Sequence, residues 1–219
     1  PQNIKNLKIE KFSELEKFIL NRLFLLDKSI KENLKVYNFH KIYKELLNFC
    51  TLDLSSFYFD IRKDVLYCDK LDSKKRKECI IVLNIILDCL LRWFAPIFVF
   101  TTEEIYSLIS NKDESVHELT FLEIPETWND KTLEDKWKKL FRIKQEANIA
   151  IEQKRASKEI GSSLEAEIEI FVNSQNYKLM EGLDLAEYFI TSNAKRVKND
   201  KEEENIKVLV KKAQGEKCE

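Results

Sequence analysis

The sequence predicts a mainly α-helical fold, a helical bundle followed by a small α+β unit of about three strands. Across 219 residues there are only three Gly and three Pro, too few for the many tight turns of an all-β chain. Apolar residues recur at helical spacing from Phe12 to the region of Ser157. After Gly161 the period becomes alternating, as in a half-buried strand. The length suits one large or two modest domains, and 44% hydrophobic with 34% charged residues is a globular profile.

The elements follow in order. Apolar residues at 12, 15, 19, 23 and 26 predict a first amphipathic helix from Phe12 to Leu26. A second helix begins near Phe39 and carries its stripe through Ile42, Tyr43, Leu46, Leu47, Cys50, Leu54, Phe57, Tyr58 and Ile61. It ends in "RKDVLYCDKLDS", a polar connection with turn formers. Ser73 is placed to cap a third helix from Lys74 to Ala95, and Pro96 stops it. Its apolar residues occupy nearly every face, leaving Asn84, Asp88 and Arg92 as one polar stripe, so it is predicted at the centre of the bundle. Thr101 with Glu104 offers a capping box for a short helix to Ile109.

Around "TFLEIPETWND" the pattern turns irregular, which places a domain boundary there. The expected division is 1–128 for the bundle, 129–217 for a linking helix with the α+β unit, and 218–219 for a stub. Thr132 with Asp135 starts the linking helix, which runs to about Ser157. "LEAEIEIFV" sets Leu164, Ala166, Ile168 and Ile170 on one strand face and three glutamates on the other. "NYKLMEGL" reads as a short helix, "AEYFITSNAKRV" as a second strand, "NIKVLVKKA" as a third, and "KNDKEEEN" as a solvated turn between strands.

Composition excludes several classes of function. The formal net charge of −1 rules out a polybasic chain, so phosphate binding must come from local patches. Cys50, Cys68, Cys79, Cys89 and Cys218 form an odd set without a close pair, which predicts reduced thiols in a cytoplasmic protein. The opening "PQNIKNLKIEKF" holds no apolar core of a signal peptide. The most apolar run, 80–94, contains Asn84, Asp88 and Arg92 and is too short and too charged to span a membrane, so no membrane partner is expected. His40 and His117 lie far apart without an acidic partner at ligand spacing, and read as structural or solvent-facing. No nucleophile elbow, phosphate loop, zinc-protease motif or dinucleotide fingerprint is present. Glu103 and Glu104 suit a helix N-terminus.

What remains is two basic patches. Between 62 and 77, seven cations (Arg62, Lys63, Lys70, Lys74, Lys75, Arg76, Lys77) face three aspartates, a balance of +4, with Tyr67 among them. Between 136 and 158, eight cations (Lys136, Lys138, Lys139, Arg142, Lys144, Lys154, Arg155, Lys158) face Glu146 and Glu152, a balance of +6. Such patches suit phosphate contacts with an aromatic or guanidinium plane for an unstacked base. They equally suit ordinary solvated helix faces on a protein–protein scaffold. Trp93 and Trp137, at helical spacing, are expected in the core.

The stretch "NFCTLDLSSFYFDIRKDVLYCD" (48–69) resembles a signature of the anticodon-binding domain of bacterial isoleucine–tRNA ligases, a family of class I aminoacyl-tRNA synthetases. "FILNRL", "YNFHKIY", "DSKKRK", "LRWFAPIFVFTTEEIY" and "SVHELTFLEIP" resemble further segments in the same order, and "IGSSLEAEIEIF" resembles the C-terminal junction of the isoleucine enzymes. The resemblance spans nearly the whole chain. It implies a helical bundle of the class I anticodon-binding type, a cytoplasmic monomer, and isoleucine tRNA as partner through its anticodon stem-loop. The family's ATP-binding HIGH and KMSKS signatures and its editing insertion are absent, so the resemblance implies a C-terminal part without aminoacylation activity of its own. ATP, magnesium and zinc are then cofactors of the full-length enzyme, with none expected on this chain.

In the family the end of the long second helix and its following loop face the anticodon. Carried onto this chain, that nominates Arg62, Lys63 and Tyr67, with Lys74, Lys75 and Arg76 on phosphates; Arg62 and Asp60 could instead tie helices together. Arg142, Lys144, Lys154 and Arg155 are the candidates in the second patch. "GEKCE" by itself is a lone thiol on a tail. The resemblance implies instead that Cys218 is the first ligand of a four-cysteine zinc module whose other members lie beyond residue 219, so that the tail is a cut.

Overall fold

The computed structural model describes residues 4, 7–110, 114–199 and 206–215. It is mainly helical with one small mixed sheet, and it divides into two compact units, Pro1–Asp130 and Lys131–Glu219.

In the first unit, α1 (Glu14–Leu34) runs past the expected end at Leu26, because Ile30 continues its buried stripe of Leu15, Phe18, Ile19 and Leu23. The Ser13 backbone N–H and hydroxyl both donate to Glu78 Oε2, at 2.9 and 2.8 Å, and pin the entry of α1. α2 (Phe39–Asn48) is capped by the Asn38 side chain, which accepts from Lys41 N. It passes directly into a π-helical stretch, Phe49–Phe59, and then into α3 (Asp60–Cys68). The wider π turn brings the Thr51 carbonyl within reach of the Ser56 hydroxyl five residues on, at 2.8 Å.

Two expectations are corrected here. The helix is not uniformly α, and it does not end at Ile61 in a polar connection. Arg62 points inward, so the buried stripe continues through Tyr58, Ile61, Arg62 and Val65 to the last turn of α3.

Ser73 caps α4 (Lys74–Phe94), accepting from Arg76 N. α4 buries Cys79, Val82, Ile85, Ile86, Cys89, Leu91 and Trp93. It is not enclosed on every side as expected, since Lys77, Ile80, Asn84 and Leu87 form an exposed stripe. α5 (Val99–Ile109) starts two residues before Thr101, so the expected capping box does not form. Glu103 instead accepts from Ser115 Oγ and Val116 N, at 2.8 and 3.0 Å, and holds the 3-10 turn Val116–Glu118. Val116 there joins Leu91 and Ala95 in a small core cluster. Trp128, buried in the turn Glu126–Trp128, accepts from Asn21 Nδ2 at 3.0 Å.

The second unit is built on α6 (Lys131–Ala156), which buries Trp137, Leu140, Ile143, Ala147 and Ile151. The sheet has β1 (Ala166–Val172) between β2 (Asn193–Lys198), parallel to it, and β3 (Lys207–Lys212), antiparallel to it. Register sets Ile168 opposite Ala194 and Val210, and Ile170 opposite Arg196 and Val208. A parallel pair needs a crossover, supplied by α7 (Ser174–Leu179) and α8 (Leu185–Phe189). "AEYFITSNAKRV" is therefore not one strand. Its first part is α8, capped by Asp184, whose side chain accepts from Glu187 N, and closed by Ile190 in the left-handed region at φ 58. Leu164, expected on the inner strand face, lies in the turn Ser163–Glu165 and is exposed. The turn expected in "KNDKEEEN" falls mostly on 200–205, outside the described residues. Trp93 and Trp137 are both core residues, and the Trp137 ring meets Tyr188 edge-on at 5.6 Å. No described helix is long and apolar enough to cross a membrane.

Candidate nucleic-acid interface

The first basic patch becomes a corner, with α3 descending to Cys68, a tight turn through Asp69–Ser73, and α4 rising from Lys74. The turn is held by side chains. Ser73 Oγ donates to Asp69 Oδ2 at 2.8 Å, and Arg76 reaches back to donate to the Asp69 carbonyl at 3.0 Å. Arg76, nominated as a phosphate contact, is thus partly engaged in closing the corner.

Arg62 is only 2% exposed. Its Nε and Nη2 donate to the two Glu16 carboxylate oxygens at 2.6 and 2.7 Å, a fork-to-fork pair that Tyr58 joins through its hydroxyl. Burial first, then the Glu16 charge, push the Tyr58 hydroxyl well above its ordinary range. Arg62 therefore ties α3 to α1, and its guanidinium is not presented at the surface. Of the two roles weighed for Arg62, the geometry favours the structural one.

The other nominees at the corner face solvent. Tyr67, in the last turn of α3, is 86% exposed and presents its ring to solvent. Lys63 is half exposed and pairs with Asp60 at 2.9 Å; Lys74 is well exposed, 3.5 Å from Glu78. The Lys63–Asp60 pair is partly exposed at both ends and contributes little to stability, whereas Glu78 is buried and also accepts from Ser13. Lys75 is partly exposed in the first turn of α4, and Leu71 stands out from the turn between them.

On α6 the nominated cations separate. Lys144 turns inward: its ammonium donates to the Tyr188 carbonyl and lies 4.8 Å from the centre of the Tyr188 ring, fastening α8 to α6. Lys154 pairs with Glu159 at 2.7 Å and Arg155 with Glu152 at 2.6 Å, both exposed. The hydrogen bond from Lys154 holds the Glu159 carboxyl below its ordinary range. Lys138 pairs with Glu134 and Asp135. Arg142 is exposed and lines a small cavity with Lys139, Asn173, Gln175, Asn176 and Ile206. The sequence reading missed those carboxamides, because "NSQN" between a strand and a helix looks like ordinary turn chemistry. Arg196 was missed too; it stacks on Tyr177 at 4.3 Å and donates to the Tyr177 carbonyl.

His40 and His117 are exposed, and His117 Nε2 lies 3.2 Å from the Val99 carbonyl oxygen. Among the described residues no group of three or more His, Cys, Asp or Glu is placed to hold a metal ion. Cys218, the expected zinc ligand, lies outside them.

Residues 16–170 match the family model for the anticodon-binding domain of tRNA ligases. The chain is 49% identical over 216 residues to the isoleucine–tRNA ligase of Pelagibacter ubique, covering 99% of this chain and 24% of that protein. It is 41% identical to that of Agrobacterium fabrum over 94% of this chain and 22% of the relative. To that of Caldanaerobacter subterraneus it is 37% identical, over 97% and 24% respectively. The chain thus spans about a quarter of the length of these relatives.

Proposed function

The chain belongs to the anticodon-binding domain family of tRNA ligases, and from that membership we propose that it is the part of an isoleucine–tRNA ligase that grips the anticodon stem and loop of isoleucine tRNA. The observation that carries the reading is the exposed Tyr67 ring at a corner lined by Lys63, Lys74 and Lys75. An unpaired anticodon base offers a π face to stack on such a ring, and the lysines neutralise the flanking phosphates. Arg76 keeps the corner closed, Arg62 fixes the helix beneath it, and Lys154 and Arg155 offer secondary phosphate contacts from α6.

ATP and magnesium chemistry, and the attachment of isoleucine, belong in this reading to the parts of the relatives outside the matched quarter. The domain acts as a cytoplasmic monomer. Cys218 is proposed as one thiolate of a zinc site. Tetrahedral zinc needs four ligands, so one thiolate does not hold it.

The test is a titration of the chain with isoleucine tRNA and with a tRNA of different anticodon, at several salt concentrations. The expected result is tighter binding to isoleucine tRNA, with affinity falling steeply as salt rises. Equal affinity for the two tRNAs, or none for either, removes anticodon reading from this chain.

A further inference from the structure

Within the second unit, α6 and the β1–α7 connection enclose a cavity of about 110 Å³. Its lining is chemically one-sided. Lys139 and Arg142 enter from α6, one helical turn apart; Asn173, Gln175 and Asn176 enter from the opposite wall, and Ile206 closes one edge. Among the described residues no carboxylate lines the cavity, and neither cation has a hydrogen-bond or ion-pair partner. This sets them apart from Lys138, Lys154 and Arg155 on the same helix, each of which has a carboxylate.

One carboxamide is oriented for donation. Asn173 turns its Oδ1 toward Asn176 N–H, 2.9 Å away, and that leaves its NH2 group as the free end. Two cations without a partner among the described residues repel one another and attract an oxyanion, which relieves the repulsion and accepts from them and from the Asn173 amide.

We propose that this notch binds a single phosphate oxyanion, and that in the working protein the oxyanion is a backbone phosphodiester of the bound tRNA. The assignment of RNA as the source rests on the function proposed above; the oxyanion chemistry does not. It gives Arg142 a partner of its own, apart from the α3–α4 corner, and adds Lys139, Asn173, Gln175 and Asn176 as functional residues.

Two measurements on the full chain test it. In the first, inorganic phosphate is titrated while the side-chain amide signals of Asn173, Gln175 and Asn176 are followed by NMR. They are expected to shift together and saturably in the parent, and those of Asn173 and Gln175 to stay still in Asn176→Asp, which places a carboxylate in the notch. Amide signals that do not move in the parent chain overturn the site. In the second, Lys139→Gln/Arg142→Gln is compared with the parent for isoleucine tRNA. The expected loss is roughly tenfold at low salt, with the slope of log affinity against log salt reduced by about one, the signature of one lost phosphate.

An unchanged slope and affinity, with the parent still binding tRNA, overturns the RNA assignment and leaves the corner reading intact. If the parent binds no tRNA yet the amides respond to phosphate, the corner reading and the RNA assignment fall together and the notch is a free-phosphate site. Circular dichroism of each variant separates loss of binding from loss of fold.

Discussion

The α3–α4 corner and the length of α6 hold comparable surpluses of positive charge in sequence, +4 over 62–77 and +6 over 136–158, yet the two regions use it differently. At the corner one arginine goes inside to Glu16, one closes the turn, and the lysines surround an exposed ring. Along α6 Lys138, Lys154 and Arg155 are matched to a local carboxylate and Lys144 is turned onto a carbonyl, while Lys139 and Arg142 share a cavity with neither among the described residues. Counting cations therefore overstates what a ligand can reach. Lys63 and Lys74 at the corner are also paired, with Asp60 and Glu78, so what distinguishes the corner is its exposed ring.

The largest expected effect separates the buried cation from its exposed neighbours. Glu16→Ala or Arg62→Ala leaves an unpaired charge in the core and is expected to cost about 3–5 kcal/mol of unfolding free energy. Glu16→Met with Arg62→Met should recover most of it, read from urea midpoints. An Arg62→Ala chain that keeps its midpoint but loses tRNA binding would put the guanidinium back on the RNA. For the same reason, Arg62→Ala and Lys63→Ala need separate measurement, since together they confound folding with binding.

Next comes Tyr67→Ala. Losing one stacked base is worth ~1–3 kcal/mol of binding, while an exposed ring contributes little to the fold. Affinity for isoleucine tRNA should fall and the melting temperature should hold; unchanged affinity would dissolve the contrast between corner and helix. The smallest effect is expected for Lys154→Ala with Arg155→Ala. Both pairs are exposed, so stability should change by less than ~1 kcal/mol and tRNA affinity by only a few-fold. A larger loss of affinity would make the end of α6 a main contact.

Much of this was legible because it depends on local pattern. α1, α4 and α6 follow their apolar stripes, and β1 follows its alternation. The errors arise where a long-range partner overrode the local signal. Arg62 looked like the start of a polar connection because nothing near it in sequence reveals Glu16, 46 positions away. "EYFI" looked like a strand because its aromatic and branched residues suit one, although Asp184 three residues before Glu187 was a helix-start signal in plain sight. Thr101 with Glu104 was the converse, a capping signature left unused because Glu103 is drawn to Ser115 and Val116 while the helix begins earlier. The candidate site was legible as a region and as charge, but not as a division between cations that hold the fold and cations that face outward.

The π-helical stretch from Phe49 to Phe59 also sets the azimuth of everything after it. Each residue of an α-helix advances the chain by about 100° around its axis, so deleting a single residue from this stretch would swing Tyr67 and Lys63 by about that angle while Arg62 was pulled away from Glu16. The length of the wide-turn segment works as a phase setting, counted in whole residues, that decides which side chains of α3 look inward and which look out.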